Sequence, residues 1–135
     1  MTPSQAIAKS LAAATAITTI VPAARIYHGD RPQGDALPAL NYYELPGGIR
    51  ANGFERITYS FNCRATTAAT ALQMAREVAN LFGGTSSNGT YGYQTGFEIT
   101  RASIRSTYGL LPEPDDKCYN APVDILFVYP SSSVS

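Results

Sequence analysis

The chain has 135 residues, which is enough for one domain that buries a core without disulfides. Its ten basic and ten acidic residues are mixed along the chain and give a formal net charge of zero. No basic block is present to neutralise phosphates, which disfavours nucleic-acid binding. Only 15% of the residues are charged, and a neutral surface favours self-association because net charge keeps molecules apart.

The N-terminal segment predicts a helix and not a membrane span. Residues 6–21 are interrupted by polar side chains and are too few for a span of about 20 apolar residues. Thr2 is a predicted N-cap, with Pro3 at the first helical position and Gln5 completing a capping box. One face of this amphipathic helix contains Ile7, Leu11, Ala14, Thr18 and Val21.

Two short strands are predicted next. Pro22 ends the helical pattern, residues 25–28 form a short strand, and residues 39–44 form another that begins just after Pro38. Glycine and proline residues set turns in this region. Residues 29–35 are interpreted as a loop, residues 45–48 as a turn, and residues 49–54 as a connection to the next strand.

The clearest pattern is an alternating strand followed by a helix. Residues 56–63 alternate strictly, which is typical of a half-buried strand. Thr66 and Thr67 offer N-caps for an amphipathic helix over residues 68–82. The strand face predicted to pack on this helix contains Ile57, Tyr59, Phe61 and Cys63, and the matching helix face contains Leu72, Ala75, Val78, Ala79 and Phe82.

The C-terminal half is predicted to contain two long loops and two strands. Residues 85–96 and 107–120 are the loops, and residues 97–105 form a strand whose phase slips at a bulge near Arg101. The last strand places Val123, Ile125, Phe127 and Tyr129 on one face. Its other face is also apolar, with Leu126 and Val128, so this strand is either central or covered by a partner.

The residues suited to catalysis or metal binding do not form a recognisable constellation. His28 is the only histidine, and turn hydrogen bonding explains it as well as catalysis does. The acidic cluster Glu113, Asp115 and Asp116 lacks the spacing of a calcium-binding loop, and its prolines favour a solvated turn. The sequence therefore predicts no enzyme activity, no metal and no cofactor.

The two cysteines belong to no CxxC motif. Cys63 lies on the apolar face of its strand and is interpreted as a small buried hydrophobe. Cys118 lies in the second predicted loop, where it is either a free thiol or paired with Cys63.

Tyrosines in or beside the loops are candidates for an interface, because interface cores are enriched in this residue. The acidic loop and two arginines of the preceding strand are candidates for charged contacts at its rim. The full set of predicted interface residues is Tyr91, Tyr93, Arg101, Arg105, Tyr108, Glu113, Asp115, Asp116 and Tyr119.

Several segments together resemble, in order and spacing, the tail terminator or tail completion proteins of long-tailed bacteriophages. Related minor capsid and neck proteins share this layout. The segments are the N-terminal helix, Arg25-Ile-Tyr, Pro32-Gln-Gly34, Leu37-Pro38-Ala-Leu-Asn-Tyr-Tyr, the strand from Ile57 to Cys63 with the helix from Ala68 to Phe82, Leu111-Pro-Glu-Pro-Asp-Asp116, and Pro122-Val-Asp-Ile-Leu-Phe-Val-Tyr129.

The strand and helix patterns predict a small α+β domain, and the resemblance implies the same fold: a single domain over residues 1–130, with a mainly antiparallel β-sheet packed by two α-helices. The polar residues 131–135 are predicted to form a flexible tail. The resemblance also implies a hexameric ring in the tail or neck region of a virion assembled in the host cytoplasm. Such a ring caps the tail tube, ends its polymerisation and joins it to the head. The implied partners are other copies of the chain, the tail tube protein and a head-side connector or stopper, with no sequence-specific nucleic acid and no membrane.

Two alternatives accompany this interpretation. The nearer one is a connector or stopper of the neck, or another minor virion protein, because such proteins share the general layout. The other is a small-molecule-binding protein or enzyme, which the absence of a catalytic constellation disfavours.

Overall fold

The chain folds as helices on one face of a mainly antiparallel sheet. The computed structural model describes residues 3–29, 36–82, 93–94, 97–98, 101–106, 109–114 and 117–130. The helices are α1 (Pro3–Ala13), α2 (Thr15–Thr18) and α3 (Ala68–Phe82). The strands are β1 (Ile26–His28), β2 (Ala39–Glu44), β3 (Ile49–Ala51), β4 (Phe54–Ala65), β5 (Tyr93–Gln94), β6 (Phe97–Glu98), β7 (Arg101–Ser106), β8 (Leu111–Glu113) and β9 (Cys118–Pro130). The predicted α+β class is confirmed.

A long antiparallel pair, β4 and β9, forms the centre of the seven-stranded sheet. It runs from Phe54 opposite Pro130 to Ala65 opposite Tyr119. The strand order is β1-β2-β4-β9-β7, and only β1 and β2 are parallel. On one side of this central pair, β2 and β3 pair with successive parts of β4. On the other side, β7 and β8 pair with different parts of β9. Strands β5 and β6 form a separate two-stranded sheet.

The core lies between the sheet and the helices. As predicted, Tyr59, Phe61 and Cys63 of β4 are buried, because alternate side chains of a strand point to the same face. The ring centroid of Phe82 on α3 lies 5.4 Å from that of Phe61 and 5.2 Å from that of Phe127 on β9. These aromatic contacts fix α3 across the central pair of strands.

Helix α3 has the predicted bounds. The Thr67 hydroxyl accepts a hydrogen bond from the Thr70 backbone N–H at 3.3 Å, which confirms Thr67 as the N-cap. Leu72, predicted on the buried face, is only half-buried at its margin. The buried residues of the helix are Ala71, Met74, Ala75, Val78, Ala79 and Phe82.

The N-terminal segment forms two helices where one continuous helix was predicted. The backbone is extended at Ala14, with φ −83° and ψ 101°, and Ile17 is buried where Thr18 was expected. β-Branched residues have low helix propensity, and hydroxyls compete for backbone carbonyls. Here the Thr19 hydroxyl donates to the Thr15 carbonyl at 2.6 Å. Helix α1 begins at Pro3 as predicted, whereas Thr2 lies outside the described residues. None of the described helices is long and apolar enough to span a membrane.

Residues 49–54, predicted as a connection, form a β-hairpin. Asn52 and Gly53 have φ values of 56° and 80°, and they join the paired residues Ala51 and Phe54. Positive φ at both positions is typical of the type I′ turn, for which Asn-Gly is the preferred sequence. The prediction of a connection is therefore wrong, and the Asn52-Gly53 dipeptide is the local sequence signal for this hairpin.

The segment 97–105 is two strands of different sheets where one was predicted, because β6 pairs with β5 and β7 pairs with β9. The irregularity in pairing lies between Ile104 and Ser106 and not near Arg101.

The second predicted loop, 107–120, is largely a hairpin, because β8 pairs with residues 118–120 of β9. Within the first predicted loop, Tyr93–Gln94 form β5, and most of the remaining residues lie outside those described. The tail 131–135 also lies outside the described residues.

Candidate assembly surface

The sheet face opposite α1–α3, here called the helix-free face, carries the side chains that alternate with the core. It includes Asn41 and Tyr43 of β2, the even-numbered residues 54–64 of β4 and the even-numbered residues 118–130 of β9. Leu126 and Val128 on this face are half-buried. Strand β9 is therefore central, between β4 and β7, and still presents apolar side chains away from the helices.

A shallow apolar groove lies at the end of this face where β3 and β4 turn. We call it the hairpin groove; it has a volume of about 430 Å³. Ile49 is 58% exposed and Phe54 is 43% exposed. Arg56, between them on this face, is exposed and forms no ion pair with any residue that the structure describes. The residues lining the hairpin groove are Ile49, Ala51, Asn52, Phe54, Arg56 and Val128.

Exposed apolar side chains grouped around an arginine are typical of a protein-binding surface. Because β3 is exposed along its whole length, the β3–β4 hairpin extends beyond the buried core. The hairpin groove is therefore the clearest candidate contact surface among the described residues.

The other end of the helix-free face is polar and internally bonded. The Arg64 Nε atom donates to Glu113 Oε1 at 2.8 Å, and Arg64 Nη1 donates to Asn41 Oδ1. The Asn41 side-chain amide donates to the Gly29 carbonyl at 3.0 Å, and the Cys118 thiol donates to Glu113 Oε1 at 3.5 Å. We call this set of five residues the Arg64 relay.

The environment of Glu113 favours its ionised form. Desolvation by burial acts to raise its pKa. The hydrogen bond and positive charge of Arg64 act in the opposite direction, together with hydrogen bonds from Cys118 and Asn120, and these favourable interactions lower the pKa of Glu113 overall. The Glu113 side chain is 28% exposed and that of Arg64 is 19% exposed, so the pair is partly shielded from water.

Two buried asparagines lie beside the relay. The Asn120 side-chain amide donates to Asn62 Oδ1 at 3.0 Å, which links β9 to β4. The Asn120 Oδ1 atom is buried and has no hydrogen-bond partner among the described residues. Because buried amides are costly without hydrogen bonds, the bond between Asn62 and Asn120 favours the observed register of β4 and β9.

The structure describes only part of the predicted interface. Tyr119 is 36% exposed, whereas Glu113, expected at the rim, is bonded to Arg64 of its own chain. For Tyr93, Arg101 and Arg105 only the strands that contain them are described. Lying outside the described residues are Tyr91, Tyr108, Asp115 and Asp116.

The hairpin groove was not predicted, although its Asn52-Gly53 turn is visible in the sequence. The turn brings Ile49 opposite Arg56 and Ala51 opposite Phe54, which places all four residues on one face.

Neither cysteine forms a disulfide, and the two are buried on opposite faces of the sheet. Cys63 lies opposite Ala121 on the core face, and Cys118 lies three residues further along β9, on the helix-free face. The sheet separates the two thiols, so the paired alternative is wrong. Burial raises the pKa of the Cys63 thiol to about 12, an effect that the Arg64 charge only partly offsets.

The candidate catalytic and metal-binding residues are dispersed. His28 stacks on Tyr42, with ring centroids 5.2 Å apart. Among the described residues, no three His, Cys, Asp or Glu side chains form a group suited to a metal ion. Asp115 and Asp116 are outside that description, so the acidic cluster is not tested as a whole.

The fold as a whole is that of a small α+β domain with a candidate contact surface on the open side of its sheet. No protein-family model matches the chain, and no curated protein matches it. Its structure is similar to a chain in a solved structure described as the virion of a native gene transfer agent (GTA) particle. The TM-score is 0.62 at 13% sequence identity, and the match covers 96% of this chain and 95% of that chain. At this identity the likeness establishes the fold.

Proposed function

We propose that this protein is a structural component of a phage-like virion, where several copies form a ring that caps the tail tube and joins it to the head. The observation that carries the proposal is the fold shared with a chain of a GTA virion over nearly the full length of both chains. The sequence resemblance to tail terminator proteins independently leads to the same class of particle.

The surface properties support an assembly role over a catalytic one. The hairpin groove exposes Ile49 and Phe54 beside Arg56, and the formal net charge of the chain is zero. Exposed apolar side chains and a zero net charge both permit close contact between copies, because no net electrostatic repulsion keeps the copies apart. A ring requires a heterologous contact between two different patches of each subunit, and its closure sets the subunit number. In this proposal, the hairpin groove supplies one patch of that contact, and the resemblance supplies the number six.

The proposal is tested by imaging the purified chain and by measuring its mass in solution. We expect closed rings of uniform size by electron microscopy. When these are added to polymerising tail tube protein from the same virion, we expect tubes of limited length with a ring at one end. Ile49→Lys should reduce ring formation at least about tenfold, because it places a second positive charge directly opposite Arg56 within an apolar contact.

The matched control is Gln73→Lys, which adds the same charge at an exposed position of α3, on the other side of the molecule. This variant should assemble like the wild type. A chain that stays monomeric and leaves tube length unchanged would contradict the tail-terminating role. Rings that bind the head-side connector and not the tube would instead indicate the alternative, a connector or stopper of the neck.

A further inference from the structure

The Arg64 relay spans most of the width of the sheet. Gly29 follows β1 at one edge, Asn41 lies on β2, Arg64 on β4, and Glu113 on β8 at the opposite side. Each member bonds the next through a side chain, so one continuous series of hydrogen bonds runs from the end of β1 across β2, β4 and β9 to β8. Sheets are normally held across such distances by backbone ladders alone, which act between neighbouring strands.

Arg64 is the central member, because its guanidinium holds both neighbours at once. Nε donates to Glu113 and Nη1 donates to Asn41. A planar guanidinium presents its donors in a fixed fork, so a change in the position of Glu113 reorients the donor that holds Asn41. Asn41 in turn anchors the Gly29 carbonyl, and the Gly29 N–H is held by the Tyr42 carbonyl at 2.8 Å.

We infer that the Arg64 relay couples the β8–β9 hairpin at one edge of the sheet to the end of β1 at the other. A partner that fixes one edge thereby orders the other. In a ring built from heterologous contacts, opposite sides of a subunit meet successive neighbours. Through this coupling, the binding of one subunit would strengthen the binding of the next, and this would promote closure of the ring. This assembly role rests on the proposed ring, whereas the coupling itself is a property of the single chain.

Hydrogen exchange of the free chain tests the coupling without any assembly. Glu113→Gln keeps the size of the side chain and removes its charge, which weakens the bond to Arg64. We expect the Gly29 amide to exchange at least about threefold faster than in the wild type, through a local opening. The Leu45 amide, which donates to the Thr58 carbonyl at 2.8 Å and lies off the relay, should keep its rate.

The matched control is Glu55→Gln. Glu55 also pairs with an arginine, Arg50 at 3.5 Å, but it has no connection to the relay. This variant should leave the Gly29 amide unchanged. An unchanged Gly29 rate in Glu113→Gln would overturn the coupling, as would equal acceleration at Leu45, which indicates only a loss of global stability.

The reverse experiment covers the case in which Glu113→Gln does not fold. Coupling between two sites is reciprocal, so Asn41→Ala should accelerate the Lys117 amide at the far hairpin. That amide donates to the Pro114 carbonyl at 3.1 Å. A wild-type rate at Lys117 would likewise overturn the proposal. Failure of the chain to form rings would refute the proposed function and leave these exchange results intact.

Discussion

The ring of Phe82 at the end of α3 stacks on the ring of Phe61 at the centre of β4, with the two planes 28° apart. Both side chains are fully buried. This contact joins α3 to β4, the two elements that the sequence predicts most clearly. Removing it therefore tests directly how the helix is held on the sheet.

Replacing Phe82 by alanine should destabilise the fold by about 3–5 kcal/mol, because it removes a fully buried ring and leaves a cavity. The measurement is the urea unfolding midpoint at an unchanged m-value. Asn80→Ala, at an exposed position of the same helix, should change stability by less than about 0.5 kcal/mol. A near-neutral Phe82→Ala would show that the aromatic contact contributes little.

Gly53→Ala should destabilise the β3–β4 hairpin by about 1–2 kcal/mol, because φ is +80° there and a Cβ atom disfavours the left-handed region. The added methyl group meets no atom within 4 Å, so the cost arises from the backbone alone. Gly109 also has free space around it but no positive φ, and Gly109→Ala is therefore the matched control. Thermal unfolding of both variants measures the difference, and equal effects would contradict the assigned turn.

The Cys63 thiol should resist alkylation in the folded protein. With a pKa of about 12, about one thiol in ten thousand is ionised at pH 8, and the thiolate is the reactive species. Iodoacetamide labelling of Cys118→Ser followed by mass spectrometry isolates this residue. We expect no modification within hours in buffer and full modification in urea. Rapid labelling of the native protein would contradict the burial of Cys63.

The pairing of Arg64 with Glu113 predicts a pH dependence of stability. Because the folded-state pKa of Glu113 is below its ordinary value of 4.5, the ionised pair contributes stability that is fully present above that value. The contribution is lost as the pH falls through the folded-state pKa. Glu113→Gln should therefore cost about 1 kcal/mol at pH 7, and the difference from wild type should disappear in acid.

Urea unfolding at a series of pH values measures this effect. Glu77→Gln on α3 is the control, since Glu77 has no ion pair with another described residue. Its difference from wild type should be small at neutral pH. A cost of Glu113→Gln that is independent of pH would indicate a steric effect and not an ionic one.

The acidic residues between β8 and β9 in the sequence are predicted to orient partners. Asp115 and Asp116 are changed without Glu113, because Glu113 also pairs with Arg64 of the same chain and its replacement would affect the sheet as well. Asp115→Asn with Asp116→Asn should slow capping of tail tubes at low salt and have little effect at high salt, because rim charges mainly raise association rates. Tube length against time by electron microscopy measures the rate. Equal capping at both salt concentrations would contradict this role.

The elements with strong periodicity were predictable from the sequence. Strand β4 alternates apolar and polar residues over its central part, and α3 follows a helical period between a threonine cap and two glycines. Strand β8 was missed for a physical reason: Leu111-Pro112-Glu113 is too short to show alternation and contains a proline. Its pairing with β9 therefore cannot be inferred from local pattern alone.

The candidate surface was less predictable. Ile49 and Phe54 follow from the Asn52-Gly53 turn once that turn is used to set the register. Arg64 and Glu113, by contrast, are separated by 49 positions in the chain. No local pattern relates them, because their proximity depends on β8 folding back on β9 and on β9 pairing with β4.

The succession of β2 and β3 along one side of β4 separates the buried core from an exposed hairpin. The turn at residues 45–48 divides them, and the buried residues of β2 end before it, whereas every residue of β3 is exposed. Insertions or substitutions beyond that turn change the length and side chains of the hairpin without disturbing the packing beneath α3. Substitutions in the hairpin should thus change the exposed surface while the interior stays the same.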